Sequence, residues 1–496
     1  MNQLKVGVSL SYVSIIATNI IALIYTPYML RKLGQIEFGL YSLAYSVIAY
    51  LTVLDLGFGN AIVRYTAKYR ALKKKTEQYD LFGMFFVIYS LIGLVTCLVG
   101  LVLYWNVDDL FNLTMSQEET SQIGIMILLM AFNLALTFPL SIFGSIITAY
   151  EDFVFQKVLN LCRIILNPLV IVVFLYFGYK AVAMIVITTA FNLLTLGINT
   201  WYCFHKLKIK LYFRHFERKL LREISIYSFW IFLSLIIDRL YWSTGQFILG
   251  VFQGATVVAI YALAIQFQGI YMTFSSAVTS VFLPKVTGMV TQQSDKGGIS
   301  DLFIRVGRIQ YAVLVFVLSG FILFGEKFIF YWAGEDYISS YPIALLFLIP
   351  LTFPLCQNLG ITILQAENRM KFRSLSYLVI SFLCIVVSIP LSKYYGAMGC
   401  AISVAIALLL GQGIVINIYY YKKIGIDIPA FWKNIFQMSI VPFVLCTIGL
   451  FVLYFFPITT ILELVIGIVI YSIVYIPSFF FLSLNKNERN LIPLFR

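Results

Sequence analysis

The chain has 496 residues, of which 61% are hydrophobic and only 11% charged, with a formal net charge of +13. A soluble domain carries roughly 25% charge to cover its surface, so most of this surface faces something other than water. The positive balance resembles a nucleic-acid signal until the charges are mapped. They then fall on one side of a membrane, and no nucleic-acid partner is expected.

The apolar residues come in runs long enough to cross a hydrocarbon core, which takes about 20 residues. Lipid offers the backbone no partner, so such runs can only be helices, and the alternating strands of a membrane barrel are absent. In chain order the helices are placed at 8–30, 38–63, 82–104, 121–149, 153–177, 180–204, 224–249, 255–284, 309–331, 342–365, 375–394, 397–420, 435–456 and 461–483. The first run lacks a small-residue cleavage site and is too long for a signal-peptide core, so it is read as retained. Of the 35 Lys and Arg, only Arg31, Lys32, Lys180, Lys327 and Lys393 fall on outer segments, and Arg163 and Arg239 within helices. The remainder lie on segments that the short-loop rule assigns to the cytoplasm, together with both termini. The basic stretches Arg64–Lys75 and Lys206–Arg222 are read first as topology signals and second as contacts for anionic lipid.

The chain also repeats itself weakly but in order. Gly34 and Tyr41-Ser42-Leu43-Ala44 recur as Gly254 and Tyr261-Ala262-Leu263-Ala264. Phe138-Pro139-Leu140 recurs as Phe353-Pro354-Leu355, Gly144 and Glu151 as Gly360 and Glu367, and Gly178 as Gly396. The expected organisation is an N-lobe at 1–204, a basic cytoplasmic linker at 205–223, a C-lobe at 224–421, and two further helices with a tail at 422–496. The expected fold is therefore an all-α polytopic membrane protein of about fourteen transmembrane helices. Two parallel six-helix lobes surround a central cavity, the plan of an alternating-access transporter.

Ionisable groups within the hydrocarbon span are costly and usually face a partner or a cavity. Asp55 lies in the run Leu54-Asp55-Leu56-Gly57-Phe58-Gly59-Asn60, followed by Arg64. Desolvation favours the protonated form of a carboxylate, which suits proton coupling, although a fixed ion pair with a membrane arginine would place Asp55 equally well. Asn160, Arg163 and Asn167 share one helix face, either as a structural network with a carboxylate or as a cavity lining. Asp238 and Arg239 are adjacent and point apart; Arg239 shares a stripe with Ser243 and Gln246, and the next helix adds Gln266 and Gln268.

The cysteines all fall in or at the ends of apolar segments, and His205 and His215 share one basic loop. Neither a disulfide framework nor a metal site is expected, and no cofactor beyond H⁺ or Na⁺ coupling. No phosphate-binding Gly-rich loop with Lys-Ser/Thr is present, and no loop can hold a soluble catalytic domain, so the chain is not read as an enzyme. A membrane-embedded glycan polymerase would need a large outer loop, and the longest here runs only over Trp105–Thr120.

The chain resembles the O-antigen and polysaccharide flippases of the multidrug/oligosaccharidyl-lipid/polysaccharide exporter superfamily. The resemblance rests on Pro27 with Leu30-Arg31-Lys32-Leu33-Gly34, on Phe38-Gly39-Leu40-Tyr41-Ser42-Leu43, and on Leu54-Asp55-Leu56-Gly57-Phe58-Gly59 leading to Arg64. Its second-half counterpart runs from Asp238 through Gly250 and Gly254 to Leu283-Pro284. The resemblance implies flipping of undecaprenyl-diphosphate-linked oligosaccharide units across the bacterial plasma membrane for O-antigen or capsule. Lipid-linked oligosaccharide and membrane lipids would be its partners, with polysaccharide polymerase machinery alongside. It also implies a cavity toward which Asn19, Asp55, Asn60, Arg64, Asp238, Arg239, Gln246, Gln266 and Gln268 point; beside it, the residue reading adds Arg163 as a further cavity candidate and Asp55 and Asp238 as candidate ion-coupling groups. Lipid II flippases of this superfamily carry several arginines in the first helix, whereas none stands between Val8 and Leu30. That departure points to a different glycan. The main alternative is a multidrug and toxin extrusion-type cation antiporter, which shares the two-lobe plan but favours acidic cavity groups.

Overall fold

The computed structural model describes residues 3–213, 218–291, 296–367 and 369–489, and every regular element among them is helical. In order these are α1 (Gln3–Leu51), α2 (Phe58–Ala71), α3 (Lys75–Trp105), α4 (Val107–Phe111), α5 (Gln117–Ala149), α6 (Phe153–Tyr176), α7 (Ala181–His205), α8 (Arg218–Trp242) and α9 (Thr244–Gln253). There follow α10 (Ala255–Thr291), α11 (Lys296–Trp332), α12 (Ser340–Cys356), α13 (Leu359–Ala366), α14 (Met370–Leu408), α15 (Ile416–Tyr419), α16 (Ile428–Phe455), α17 (Ile461–Leu482) and α18 (Lys486–Arg489).

Fourteen membrane crossings follow once the bends are read. Two long helical runs, Ser9–Ala71 and Met370–Ile424, turn back at Gly34 and Gly396 and so hold two crossings each. Ser340–Cys356 and Leu359–Gln365 form a single crossing bent by 48°. The seventh crossing is likewise in two pieces, α8 and α9, parted at Ser243. The paired glycines of the repeat share backbone roles. Gly34 (φ 74°, ψ 171°) and Gly254 (φ 87°, ψ 178°) make the same extended left-handed turn between helices, a conformation that a Cβ disfavours.

By packing, the described chain divides into two compact units, 1–259 and 260–496. In the first unit α3 lies along α5, where a Cβ on Gly93 would meet the Ala135 carbonyl and one on Gly100 the Ala131 side chain. Small residues at this spacing let helices approach where lipid supplies no hydrophobic drive for association, so close van der Waals contact does the holding. A cluster of Phe58, Phe82, Phe85, Tyr89, Phe138 and Phe143 fills the inner part of this unit. In the second unit α16 and α17 pack on α11, with Leu323, Phe324, Ile458 and Leu464 buried between them.

Two segments near the end of the twelfth crossing, Leu409–Val415 and Tyr420–Ile424, are wound as wide π-turns. Asn417 sits between them. Its amide donates to the carbonyls of Gln412 (3.0 Å) and Gly413 (2.8 Å), while its Oδ1 accepts from Gln357 (2.6 Å) and Trp432 (3.1 Å). The side chain thus takes up backbone acceptors that the wide winding leaves free, and it ties them to α16.

Candidate functional site

The second crossing is interrupted beside Asp55. After α1 the chain tightens into a 3₁₀ turn over Thr52–Asp55, and Leu56 (φ 52°) and Gly57 (φ 70°) are both left-handed before α2 begins. A left-handed leucine costs about 1–2 kcal/mol, so its surroundings must hold it there. The Asp55 carboxylate lies against the Gly57 amide, and its Oδ1 accepts a 2.7 Å hydrogen bond from the buried Tyr89 hydroxyl. The Tyr89 ring is fixed in turn by Phe58 and Phe138, each with its centroid 6.1 Å away. Of the two readings left open by the sequence, a fixed ion pair with a membrane arginine is not seen: Asp55 is held by a neutral hydroxyl.

The break between α8 and α9 meets this one within the first unit. The Tyr50 hydroxyl is hydrogen-bonded to that of Thr244, and an Arg239 terminal nitrogen donates to Thr52 Oγ1 at 3.2 Å. The Nε of Arg239 is screened from solvent and has no hydrogen-bond partner. Arg239 pairs with no carboxylate among the described residues. An unmet buried donor costs roughly 1–3 kcal/mol, and the penalty is larger for a charged group. Two interrupted crossings therefore meet side by side, with one half-buried guanidinium largely unspent. Discontinuous helices are where membrane transporters expose backbone and side-chain polar groups to cargo.

Arg163 is organised differently. It donates to Asn192 Oδ1 at 3.1 Å, and the Asn192 amide donates to Asn133 Oδ1 (2.8 Å) and Thr137 Oγ1 (2.7 Å). A network therefore joins α5, α6 and α7, and the partners around Arg163 are amides and a hydroxyl; among the described residues no carboxylate completes it. Of the same stripe, Asn160 is exposed, and Asn167 has a buried Oδ1 with no partner.

The other expected site residues are spread out. Asn60, Arg64 and Asp238 are exposed and Gln246 is half-buried. The Arg64 guanidinium lies 5.9 Å from the Tyr65 ring centre. Asn19 is exposed and donates to the Ile15 carbonyl of its own helix at 2.8 Å. Gln266 and Gln268 belong to the second unit, where Gln268 is buried with its amide 2.6 Å from the Met272 sulfur.

Sequence reasoning missed Tyr50, Thr52, Tyr89, Thr244 and Asn192, which complete these arrangements; each is an ordinary polar residue within an apolar run. It also missed Arg308, absorbed into the cytoplasmic charge count. Arg308 binds both carboxylate oxygens of Glu488 (2.5 and 2.9 Å), the Asn434 side chain (3.2 Å) and the Ser483 carbonyl (3.2 Å). In the same unit α11, α12 and α16 line a half-open, mainly apolar pocket of 180 Å³, with residues including Tyr311, Leu318, Ile349, Phe353, Trp432 and Phe436.

Against known proteins, the sequence pattern of the family described as "Polysaccharide biosynthesis protein" matches residues 4–289. The chain is 23% identical over 391 residues to a "Putative O-antigen transporter" of Shigella flexneri, covering 77% of this chain and 90% of that one. It is 22% identical over 419 residues to the "Uncharacterized membrane protein EpsK" of Bacillus subtilis (strain 168), covering 83% and 81%. Among solved structures, the lipid II flippase MurJ in an inward closed conformation superposes with a TM-score of 0.73 at 16% identity, covering 96% of this chain and 99% of that one. An inward-facing multidrug resistance MATE family transporter of the MOP superfamily superposes with a TM-score of 0.64 at 15% identity, covering 84% and 95%. At such identities these likenesses concern the fold.

Proposed function

Since this chain belongs to the polysaccharide biosynthesis protein family, we propose that it is a flippase carrying undecaprenyl-diphosphate-linked oligosaccharide units across the bacterial plasma membrane by alternating access, for O-antigen or capsule assembly. The observation that carries this reading is Arg239, a half-buried cation with no carboxylate partner at the meeting of two interrupted crossings. A guanidinium so placed suits phosphate, whose oxygens match its planar donors. Gln246 and the exposed Asn60 and Arg64 of the same unit would receive the polar head, with Asn19 as an outlying contact. The relative named for O-antigen transport supports the cargo class. Membrane lipids and polymerase machinery would be its neighbours, H⁺ or Na⁺ its coupling ion, and it would carry out no bond-making step.

Deleting the protein tests the reading. Lipid-linked glycan should accumulate on the cytoplasmic leaflet, and unchanged lipid-linked pools would sink it. The proposed orientation has its own check: a cysteine placed at Lys210 should react with an impermeant maleimide only in permeabilised cells, and labelling of intact cells would overturn cytoplasmic termini.

A second reading, a multidrug and toxin extrusion-type cation antiporter, draws support from Asp55, a carboxylate held by a tyrosine and neutralised by no described cation. Loss of resistance to cationic dyes on deletion, with glycan pools unchanged, would favour it.

A further inference from the structure

A half-buried cation in the second unit has no task in anything above. Arg373, in the first turn of α14, sets its guanidinium over the Tyr377 ring, 4.5 Å from its centre and within reach of its hydroxyl. Its Nε is screened from solvent and has no hydrogen-bond partner. Arg373 belongs to no ion pair among the described residues. A buried charged donor is expensive to leave unmet, which points to an acceptor from outside the chain.

Other cations gather beside it. Arg369 donates to the Lys423 carbonyl at 3.0 Å, and the Phe372 ring stacks on Tyr419 at 4.2 Å, so the start of α14 lies against the end of the twelfth crossing. That contact brings Lys371, Lys422 and Lys423, all exposed, to one end of two crossings. The carboxylates nearby in sequence are already engaged. Glu367 lies 3.5 Å from Arg369, and Asp427 caps α16 by accepting from the Ala430 amide at 2.9 Å. By the charge rule this is the cytoplasmic end, where exposed cations alone are a topology signal. Arg373 is more than that, because burial without an anion adds nothing to orientation.

Apolar surface continues from the cations. Leu375, Val379 and Phe382 follow Lys371 at helical spacing, Ile414 and Ile418 precede Lys422 likewise, and all are at least half exposed. On membrane-crossing helices such side chains meet lipid chains. Two adjacent helices therefore each offer a track for one chain, and the tracks share a cationic end. A glycerophospholipid has this form, two acyl chains on one phosphate. A polyprenyl lipid has a single chain, and a soluble phosphate has none. Basic pockets between crossings on the cytoplasmic side are suited to anionic lipid headgroups.

We infer that Arg373, with Lys371, Lys422 and Lys423 beside it, binds the phosphate of an anionic glycerophospholipid of the inner leaflet. The inference stands apart from the flippase reading, since it concerns the surrounding lipid and not the cargo.

The probe is dioleoyl-phosphatidylglycerol, titrated into the full-length protein in a non-ionic detergent and counted as bound lipid by native mass spectrometry. Dioleoyl-phosphatidylcholine is the zwitterionic reference. The anionic lipid should bind saturably and displace the reference. Arg373→Gln should weaken it by about tenfold, the lower range for a charge-assisted contact. Lys422→Gln should weaken it by about fivefold, the scale of one basic residue at an anionic surface. Lys422 is exposed, so its variant reads the site even if Arg373→Gln fails to fold. Lys327→Gln removes the same charge from an outer segment and should change nothing. The site is overturned if the two lipids bind alike, or if Lys422→Gln or a folded Arg373→Gln binds phosphatidylglycerol like the unmodified protein. It is equally overturned if Lys327→Gln loses as much, or if inorganic phosphate at the same concentration displaces the lipid, which would make this an anion site without a lipid.

Discussion

The same chain treats two guanidiniums in opposite ways: Arg308 is taken out of water, while Arg239 is half-buried. Arg308 and Glu488 keep only 5% and 7% of their side-chain surface, and the arginine meets a bidentate carboxylate, an amide oxygen and a backbone carbonyl. Glu488 in turn accepts from the Asn485 amide at 2.8 Å and so caps the terminal turn α18. Arg239 has one hydroxyl. A buried charge so well answered holds structure together, here where the starts of α11 and α16 meet the end of α17. A membrane charge that meets one hydroxyl among the described residues is where the proposed cargo would bind.

That contrast can be broken experimentally. The largest expected effect is on folding: Arg308→Ala leaves Glu488 buried and alone, which costs about 3–5 kcal/mol. Membrane protein level and the Tm of detergent-solubilised protein should both fall, and an unchanged Tm would deny Arg308 its fastening role. Arg239→Ala should do the reverse, leaving Tm and protein level near those of the unmodified chain while surface glycan drops by about tenfold or more, the scale of a charge-assisted contact of 1.5–3 kcal/mol. Normal glycan would remove Arg239 from the site. The finest cut concerns Asp55. If it carries a coupling proton, Asp55→Asn should leave binding intact and make transport in proteoliposomes indifferent to an imposed pH gradient. A retained dependence would assign coupling to another group, Asp238 first.

Much of the architecture was legible because it follows from composition. Lys/Arg placement and run length gave the crossings, and the Gly34–Gly254 correspondence, faint as letters, reappears as one shared backbone turn. The interruptions were legible only in part. Gly57 and Gly59 marked a polar run in the second crossing, but nothing in Trp242-Ser243-Thr244 distinguishes a break from continuous helix. Partners were the least visible. Tyr89 lies 34 residues from Asp55 and Asn192 lies 29 from Arg163, separations over which periodicity carries no signal. Glu463 closes a capping box with Thr460 at the start of α17, a local motif that could have been found in the sequence.

The π-wound stretch around Asn417 has a mechanical consequence. A wide turn closes its hydrogen bonds one residue further back than an α-turn does. Passing from one winding to the other therefore exchanges bonds nearly one for one instead of melting the helix. Asn417 absorbs the leftover carbonyls, so the winding can change along this stretch without the helix losing its backbone partners.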